Sequence, residues 1–553
     1  MKKTTSRVLA LLCVLVMCLS MAACSNGNSG SAPAPSTVAP APSGDAAASS
    51  DGGSDSNDYI KVVIAGASDP GNYLPFNAEN SVRDTYSIYF YEPLFRLYDT
   101  AKGLTPVLAT GYERIEEGVY RVTIHDDIYD YAGEHVTASD VAFCINTVIK
   151  NGERTNALGE VQSCEVVNEC TVDIVIQPDV LGVFEKCATT IAIVSQKSYE
   201  VSKTGFSSDP VGTGPYYIDN WLPGSSITFK KNENYWAKDK GFNNQNCDEI
   251  EVKFIAEPAQ VAIELETGGV DFAYNLSSKD ADAFVDREGF GIVNTVFNQV
   301  RCIAFNCDET NVFSNQKLRQ AVCYAIDPAA ILQGAYDGKG GIATCLAVPE
   351  PESGLILDYL PEWKDQLPYP YDVEKAKELM AEAGYPDGGL KVRLISKDMF
   401  EYRTTAEIIQ AYLAEIGIEV EILCYENALF QTYRYDSTAF DMYLCQIANS
   451  NTPYMLCGWK FNLIQNATTG KNIMFQSDDH LQELLETALD IDTRSDEVMS
   501  SLHDYIMETA PVYPYCYTET SYVHVDSIVD PFIAQGINFY PNMSTFSNHA
   551  RHS

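Results

Sequence analysis

Lys391-Val-Arg-Leu-Ile-Ser396, Arg403-Thr-Thr-Ala-Glu-Ile-Ile-Gln-Ala-Tyr-Leu-Ala-Glu-Ile416 and Ile418-Glu-Val-Glu-Ile-Leu423 follow one another with short joins. The first and last read as strands, the last alternating apolar and polar residues, and the middle one as a helix that Gly417 stops. Strand, helix and strand in that order make a βαβ unit, which implies a partly parallel sheet. Just upstream, Asp372 can cap a helix running through Ala376, Leu379, Met380 and Ala383 to Gly384. Further upstream, Ser314 can cap a helix in which Leu318, Ala321, Val322 and Ala325 fall at helical spacing, with Arg319 and Gln320 on its wet side. The second half of the chain therefore reads as an α/β lobe. The first half has shorter elements. Tyr59–Gly66 is a strand ended by Asp69-Pro-Gly71, Val119–Ile124 alternates like a strand, and Thr137-Ala-Ser-Asp140 opens a helix over Val141–Ile149. Two short strands fall within Ser163–Ile176, and no internal repeat is visible.

The amino terminus has a different character. Lys2, Lys3 and Arg7 precede Val8-Leu-Ala-Leu-Leu-Cys-Val-Leu-Val-Met-Cys-Leu-Ser-Met-Ala-Ala-Cys24. A basic start, an apolar stretch and small residues before a cut make an export signal over residues 1–23. The apolar stretch is shorter than the roughly 18 residues of a spanning helix. Cys24 directly after two alanines resembles a bacterial lipobox, with Met21 where leucine is more common. Residues 24–57 are nearly all Ser, Ala, Gly, Pro, Asn and Asp, which bury too little to offset the entropy of ordering. The expectation is a body tethered by lipid at Cys24 to the extracytoplasmic face of the cell membrane.

The chain has 553 residues and a formal net charge of −39, and loss of residues 1–23, with three basic groups and no acid, brings it near −42. Such a charge argues against nucleic acid and against a basic membrane-binding patch. Of 16 cysteines, two leave with the signal and Cys24 takes lipid, so the remaining 13 include at least one unpaired thiol. Most lie in apolar runs and read as free, buried thiols, as in a Gram-positive anaerobe, with Cys164 and Cys170 the best single candidate for a pair. The histidines form no HExxH pair, and no GxSxG or phosphate loop is present, so neither an enzyme nor a metal site is expected and no cofactor is called for.

Several segments together resemble one family, the extracellular solute-binding proteins family 5: dipeptide-, oligopeptide- and nickel-binding lipoproteins of bacterial ABC importers. They are Tyr91-Glu-Pro-Leu-Phe-Arg-Leu97, Pro106-Val-Leu-Ala109, Gly133-Glu-His-Val-Thr-Ala-Ser-Asp-Val141, Val211-Gly-Thr-Gly-Pro-Tyr216 and Lys231-Asn-Glu-Asn-Tyr-Trp236. Ala304-Phe-Asn306, Leu318–Asp327, Tyr371–Gly384 and Ala510-Pro-Val-Tyr-Pro514 follow in register. The Gly212-Thr-Gly-Pro215 segment is a rigid turn feeding a strand, and the Tyr235-Trp236 pair reads as packing. The resemblance implies an α/β, two-lobed periplasmic-binding-protein-like clamp (type II, large cluster C) with mixed sheets and an extra subdomain in the first lobe. Lobe I spans 58–300, with the subdomain at about 95–205; lobe II spans 301–510, and 511–553 returns to lobe I. Strands near Arg301–Phe305 and Val512–Tyr517 would cross between them, and hinge closure would bury a ligand.

In peptide-binding members a cleft aspartate pairs with the peptide ammonium. The corresponding stretch here is Ala448-Asn-Ser-Asn-Thr-Pro453, which places Asn449 at the aspartate position. A common tryptophan becomes Gln446, and an aromatic becomes Asn427. An amide cannot supply the charge that a buried ammonium needs, so a neutral polar, blocked or differently oriented ligand is favoured. If the correspondence slips, Asp441 or Asp436 takes that role, though Asp441 reads as structural. Arg301 and Arg403 are candidate anchors for a ligand carboxylate. The expected partners are a peptide or small polar solute and ABC permease subunits, for a monomeric receptor. Alternatives are a surface receptor for a peptide pheromone, a binder of a sugar, opine-like compound or nickel chelate, and an exported chaperone-like protein.

Overall fold

Contacts divide the chain into Met1–Asn57 and Asp58–Ser553. The computed structural model describes residues 59–526 apart from 67, 78–80, 97–102, 153–157, 241–244, 246, 277, 347–365, 449–473 and 476–477. Cys24, the tether, Asn449 and residues 527–553 therefore lie outside the described residues. No described helix is long and apolar enough to cross a membrane.

Strand β1 (Lys61–Gly66) is followed by the small pair β2 (Phe95–Arg96) and β3 (Thr105–Pro106). Next come β4 (Ala109–Glu116), β5 (Val119–Ile124), β6 (Val161–Asn168) and β7 (Thr171–Ile176), which form an antiparallel sheet in the order β4-β5-β7-β6. The helix Ala138–Asn151 packs its apolar face on this sheet. The capping box read from Thr137 and Asp140 is present, with the Thr137 N–H donating to Asp140 Oδ2 at 2.8 Å.

The remaining strands join β1 in one large sheet. They are β8 (Tyr216–Leu222), β9 (Ser226–Lys231), β10 (Glu249–Phe254), β11 (Phe272–Leu276), β12 (Phe290–Phe305), β13 (Gly340–Ile342), β14 (Leu390–Lys397), β15 (Ile418–Tyr425), β16 (Met442–Ala448) and β17 (Val512–Val525). The order is β15-β14-β16-β12-β17-β11-β1-β10-β9-β8, with β13 on β17. Parallel pairs lie on both sides of the central antiparallel pair. β14 runs parallel to β15 and β16, and β1 runs parallel to β10 and β11. A parallel neighbour needs a crossover, and helices supply it: Phe400–Glu415 between β14 and β15, and Pro258–Thr267 between β10 and β11. The βαβ unit read from the sequence is thus present, with Gly417 at φ +78° ending its helix.

β12 and β17 run antiparallel from Phe290 against Val525 to Ala304 against Val512. Their register shifts between Val296 and Val300. Beyond that shift, β12 also pairs with β16. On the other side of it, β17 pairs with β11. Among the described strands, the connection between the two sets of parallel strands therefore runs through two long strands, whose register shifts again between Arg301 and Cys302.

Two sequence expectations need correction. Asn315, not Ser314, caps the helix Gln316–Ala325, accepting from Lys317 N–H, because Ser314 closes a preceding 3₁₀ turn. Arg319 is not on the wet side but buried, at 5% exposure. It donates to the carbonyls of Phe313 (2.7 Å), Ser314 (3.1 Å), Thr509 (2.9 Å) and Ala510 (3.2 Å). The helix Asp496–Thr509 ends here, and the last carbonyls of a helix have no partner of their own. The guanidinium fork supplies the donors. Arg319→Met keeps the volume and strands those carbonyls, so a loss of about 2–4 kcal/mol is expected in denaturant unfolding.

The family-like motifs mostly serve packing. Glu92 is fully buried, and it accepts from Tyr235 Oη at 2.6 Å and Trp236 Nε1 at 3.0 Å. This ties the Tyr91–Arg96 segment to the turn after β9. Glu92→Ala should unfold this corner first, seen as early protease cleavage near Trp236. The twelve described cysteines are all free, so the candidate pair Cys164 and Cys170 is not joined.

Candidate functional site between the carboxyl ends of the parallel strands

In an open α/β sheet, ligands sit beyond the carboxyl ends of parallel strands. Here β14, β15 and β16 share that edge, since β14 runs parallel to both neighbours. β14 ends at Lys397, β15 at Tyr425 and β16 at Ala448. A cavity of about 290 Å³ opens there, lined by Lys397, Asp398, Met399, Glu426 and Asn427. Phe400, the first residue of the helix after Met399, is exposed at 75%.

β12 brings Arg301 to the same edge, since Arg301 stands opposite Gln446 across the β12–β16 ladder. Directly opposed residues of an antiparallel pair share a face, and the two side chains meet: Arg301 Nη1 donates to Gln446 Oε1. It also donates to Tyr402 Oη at 2.8 Å, and Tyr402 Oη donates to Gln446 Oε1 at 3.2 Å. The guanidinium lies 5.5 Å from the Tyr402 ring centroid and 5.9 Å from that of Tyr336. Two tyrosines thus hold the cation by its faces. Arg301 Nε is buried with no hydrogen-bond partner. Among the described residues no carboxylate pairs with Arg301.

Two further cations belong to the elements that end or begin at this edge. Lys397 closes β14, and no described carboxylate pairs with it. Its pKa is lowered by burial first, then by the charges of Arg434 and Arg301. Arg434 follows the helix Asn427–Tyr433. It donates to Tyr435 Oη at 2.7 Å, and its Nε is buried and unpartnered. Tyr443, whose charge interaction with Arg434 marks it as a neighbour, has a buried hydroxyl without a partner.

The residues singled out from the sequence divide as follows. Arg301 and Gln446 come together. Asn427 is exposed at the helix start and lines the cavity. Arg403 is exposed and bound to Asp398, which also lines the cavity. Asn449 lies one residue beyond β16, outside the described residues. Asp441 accepts from Arg393 N (2.7 Å), Arg393 Nε (3.1 Å), Arg393 Nη2 (3.0 Å) and Asn311 Nδ2 (2.8 Å). Burial alone would raise its pKa, but these donors hold the carboxyl below its usual range. Asp436 accepts locally from the Thr438 N–H and hydroxyl.

Sequence reasoning missed Lys397, Arg434, Tyr402 and Tyr336. No local pattern marks them, since their roles depend on partners far away in the chain.

A sheet with parallel sets joined by two long strands, and a cavity at the carboxyl ends of one set, defines a class: a two-lobed solute receptor. Residues 103–462 match the family described as bacterial extracellular solute-binding proteins, family 5 Middle, and the chain belongs to that family. The glutathione-binding protein GsiB of Salmonella typhi is 27% identical over 366 residues, 65% of this chain and 69% of that protein. Among solved structures, the ABC transporter substrate binding protein CtaP of Listeria monocytogenes aligns with a TM-score of 0.75 at 20% identity, covering 88% of this chain and 99% of that one. The PBP AgaA of A. tumefaciens R10, solved with agropinic acid, aligns at 0.72 and 22% identity, covering 89% and 100%. The fold is accordingly α/β, two-lobed and periplasmic-binding-protein-like, with mixed sheets. The family comprises the substrate-binding components of ABC importers for peptides or related solutes.

Proposed function

We propose that this chain is a lipid-anchored receptor that closes on a solute bearing a carboxylate or similar anionic group and presents it to an ABC permease. The observation that carries the ligand reading is Arg301. It is a cation held by two tyrosines and by Gln446, with no carboxylate partner among the described residues. A planar anion accepting from that fork would supply the missing partner. Arg403 is the weaker of the two arginine candidates, because Asp398 already occupies it. Gln446 and Asn427 add neutral donors and acceptors at the same edge, and Asn449, outside the described residues, remains the sequence candidate beside them. Such a site suits a peptide held by its carboxyl end, or another small polar acid, better than a peptide held by its amine.

Lobe I at 58–300 with 511–553, and lobe II at 301–510, fit the order of strands in the sheet. The register shift between Val296 and Val300 is the natural hinge, since the two crossing strands lose their pairing with each other there. Ligand that contacts both lobes shifts the population to the closed form. Lipid at Cys24 and the tether after it would keep the receptor at the extracytoplasmic face, as a monomer beside its permease. Native mass spectrometry of the full-length chain, followed by denaturation, should release a stoichiometric acidic solute. Release of a solute with no anionic group would refute the Arg301 reading. Globomycin treatment should leave an unprocessed precursor, whereas normal processing would refute the Cys24 anchor.

A further inference from the structure

We propose that the turn joining the helices Asp479–Leu489 and Asp496–Thr509 is a latch, which holds lobe II against the subdomain of lobe I while no solute is bound. This rests on the lobe limits in the reading above and concerns how the receptor closes, not what it binds. The helix pair is anchored in lobe II. Thr509 O accepts from Arg319 Nε at 2.9 Å, and Glu508 O accepts from Gln316 Nε2 at 2.9 Å and Gln320 Nε2 at 2.8 Å. The tip of the pair nonetheless joins residues of lobe I. Val180 and Asp490 form an antiparallel bridge, and Leu181 N–H donates to Leu489 O at 2.8 Å. Beside this rung, the Arg114 guanidinium on β4 donates to both oxygens of Asp492, each at 3.1 Å. Its Nε donates to Asp179 Oδ2 at 2.7 Å.

Each side of the contact is shaped within its own lobe. Asp179 also accepts from Gly118 N–H at 2.8 Å and Tyr120 Oη at 2.9 Å, so lobe I by itself holds the arginine in place. On the other side, Asp490 Oδ1 accepts from the N–H groups of Asp492 (2.8 Å) and Thr493 (2.9 Å), which fixes the tip. An exposed ion pair is worth little when two long side chains must be ordered to make it. Here the fork is already held and the pairing is bidentate, so less ordering opposes it. The rung beside it is covered, since Val180 and Leu489 are buried. The contact is therefore specific but modest in strength, as a reversible closure requires. None of these residues lies on the crossing strands β12 and β17. The hinge permits the motion, and the latch sets how much of the empty receptor is closed, because a contact made in one form and not the other shifts the population. Solute entry then waits on release of the tip.

The test needs no solute. The full-length chain in neutral detergent, shown to be empty by native mass spectrometry, is compared with Asp492→Asn and Asp173→Asn. The second variant removes a similar bidentate pair, Arg121 with Asp173 at 2.8 Å, which lies wholly within the sheet of β4–β7. Hydrogen exchange follows the Leu181 amide, and neutron scattering with the detergent matched out gives the radius of gyration. Asp492→Asn is expected to speed exchange at Leu181 about threefold or more and to enlarge the empty chain. Its melting temperature should stay within about 1 °C of the parent, because Asp492 is an exposed side chain. High salt should enlarge the parent and leave Asp492→Asn as it was, since the pair is open to screening. Asp173→Asn should change neither reading. Unchanged exchange and dimensions in Asp492→Asn overturn the latch. So does faster exchange without enlargement, which makes the contact a local one, and so does an equal response in Asp173→Asn. A solute with no anionic group would overturn the Arg301 reading and leave the latch standing.

Discussion

Replacing Arg301 by alanine is expected to lower affinity for the co-purified solute about a hundredfold or more, measured by titration calorimetry. The effect should be large because the guanidinium is pre-positioned. Tyr402 and Tyr336 fix its plane, and Gln446 fixes one edge of the fork. Little ordering is left for the ligand to bring about, and pre-organisation of this kind is what converts contacts into affinity. Arg301→Lys should recover only part of the loss, since an ammonium keeps the charge but not the planar pair of donors. The fold should survive either change, because Arg301 bridges no described carboxylate. Unchanged affinity in both variants would remove Arg301 from the site and shift attention to Asn449.

The second large effect is structural. Gly212→Ala should destabilise the protein by about 3 kcal/mol or more and reduce its soluble yield. A Cβ at Gly212 would lie 1.9 Å from the Phe90 carbonyl oxygen, and one at Gly214 would lie 2.6 Å from Phe90 Cα. That carbonyl accepts from Gly214 N–H at 2.9 Å, and the next bond, Tyr216 N–H to Tyr89 O, is also 2.9 Å. Phe90 cannot retreat, since its ring packs on Tyr73, Tyr91 and Phe229. Gly111→Ala is the control. Nothing lies within 4 Å of its would-be Cβ, so a change within about 0.5 kcal/mol is expected. Equal melting of Gly212→Ala and Gly111→Ala would show that the turn can open.

The Arg319 and Lys397 changes separate two meanings of a buried cation. Arg319 satisfies carbonyls of its own chain, so its loss weakens the fold. Lys397 has no described carboxylate partner and lines the cavity, so its loss should weaken the fold far less than the loss of Arg319. Sequence treats the two alike, as basic residues beside apolar ones. The distinction depends on which carbonyls or anions face each side chain.

Local patterns carried most of the architecture. Alternation over Ile418–Leu423, the stop at Gly417 and the caps at Asp372 and Thr137 depend on neighbours three or four residues away, so they were legible without a fold. The Gly212–Pro215 turn was legible as a turn, but its reason, the backbone of Phe90, lies more than a hundred residues upstream. Arg301 and Gln446 were each named as candidates from the chain alone, yet their meeting depends on the β12–β16 register. A one-residue slip would have sent them to opposite faces. Lys397 was missed because nothing local distinguishes a lysine at a strand end that faces open water from one that lines a cavity. By itself, the sequence determined the elements, the family and the strongly acidic field in which the receptor works. The tertiary structure alone decided that Arg301 meets Gln446 and Tyr402 at one edge of the sheet, because that meeting depends on strand register and not on local pattern.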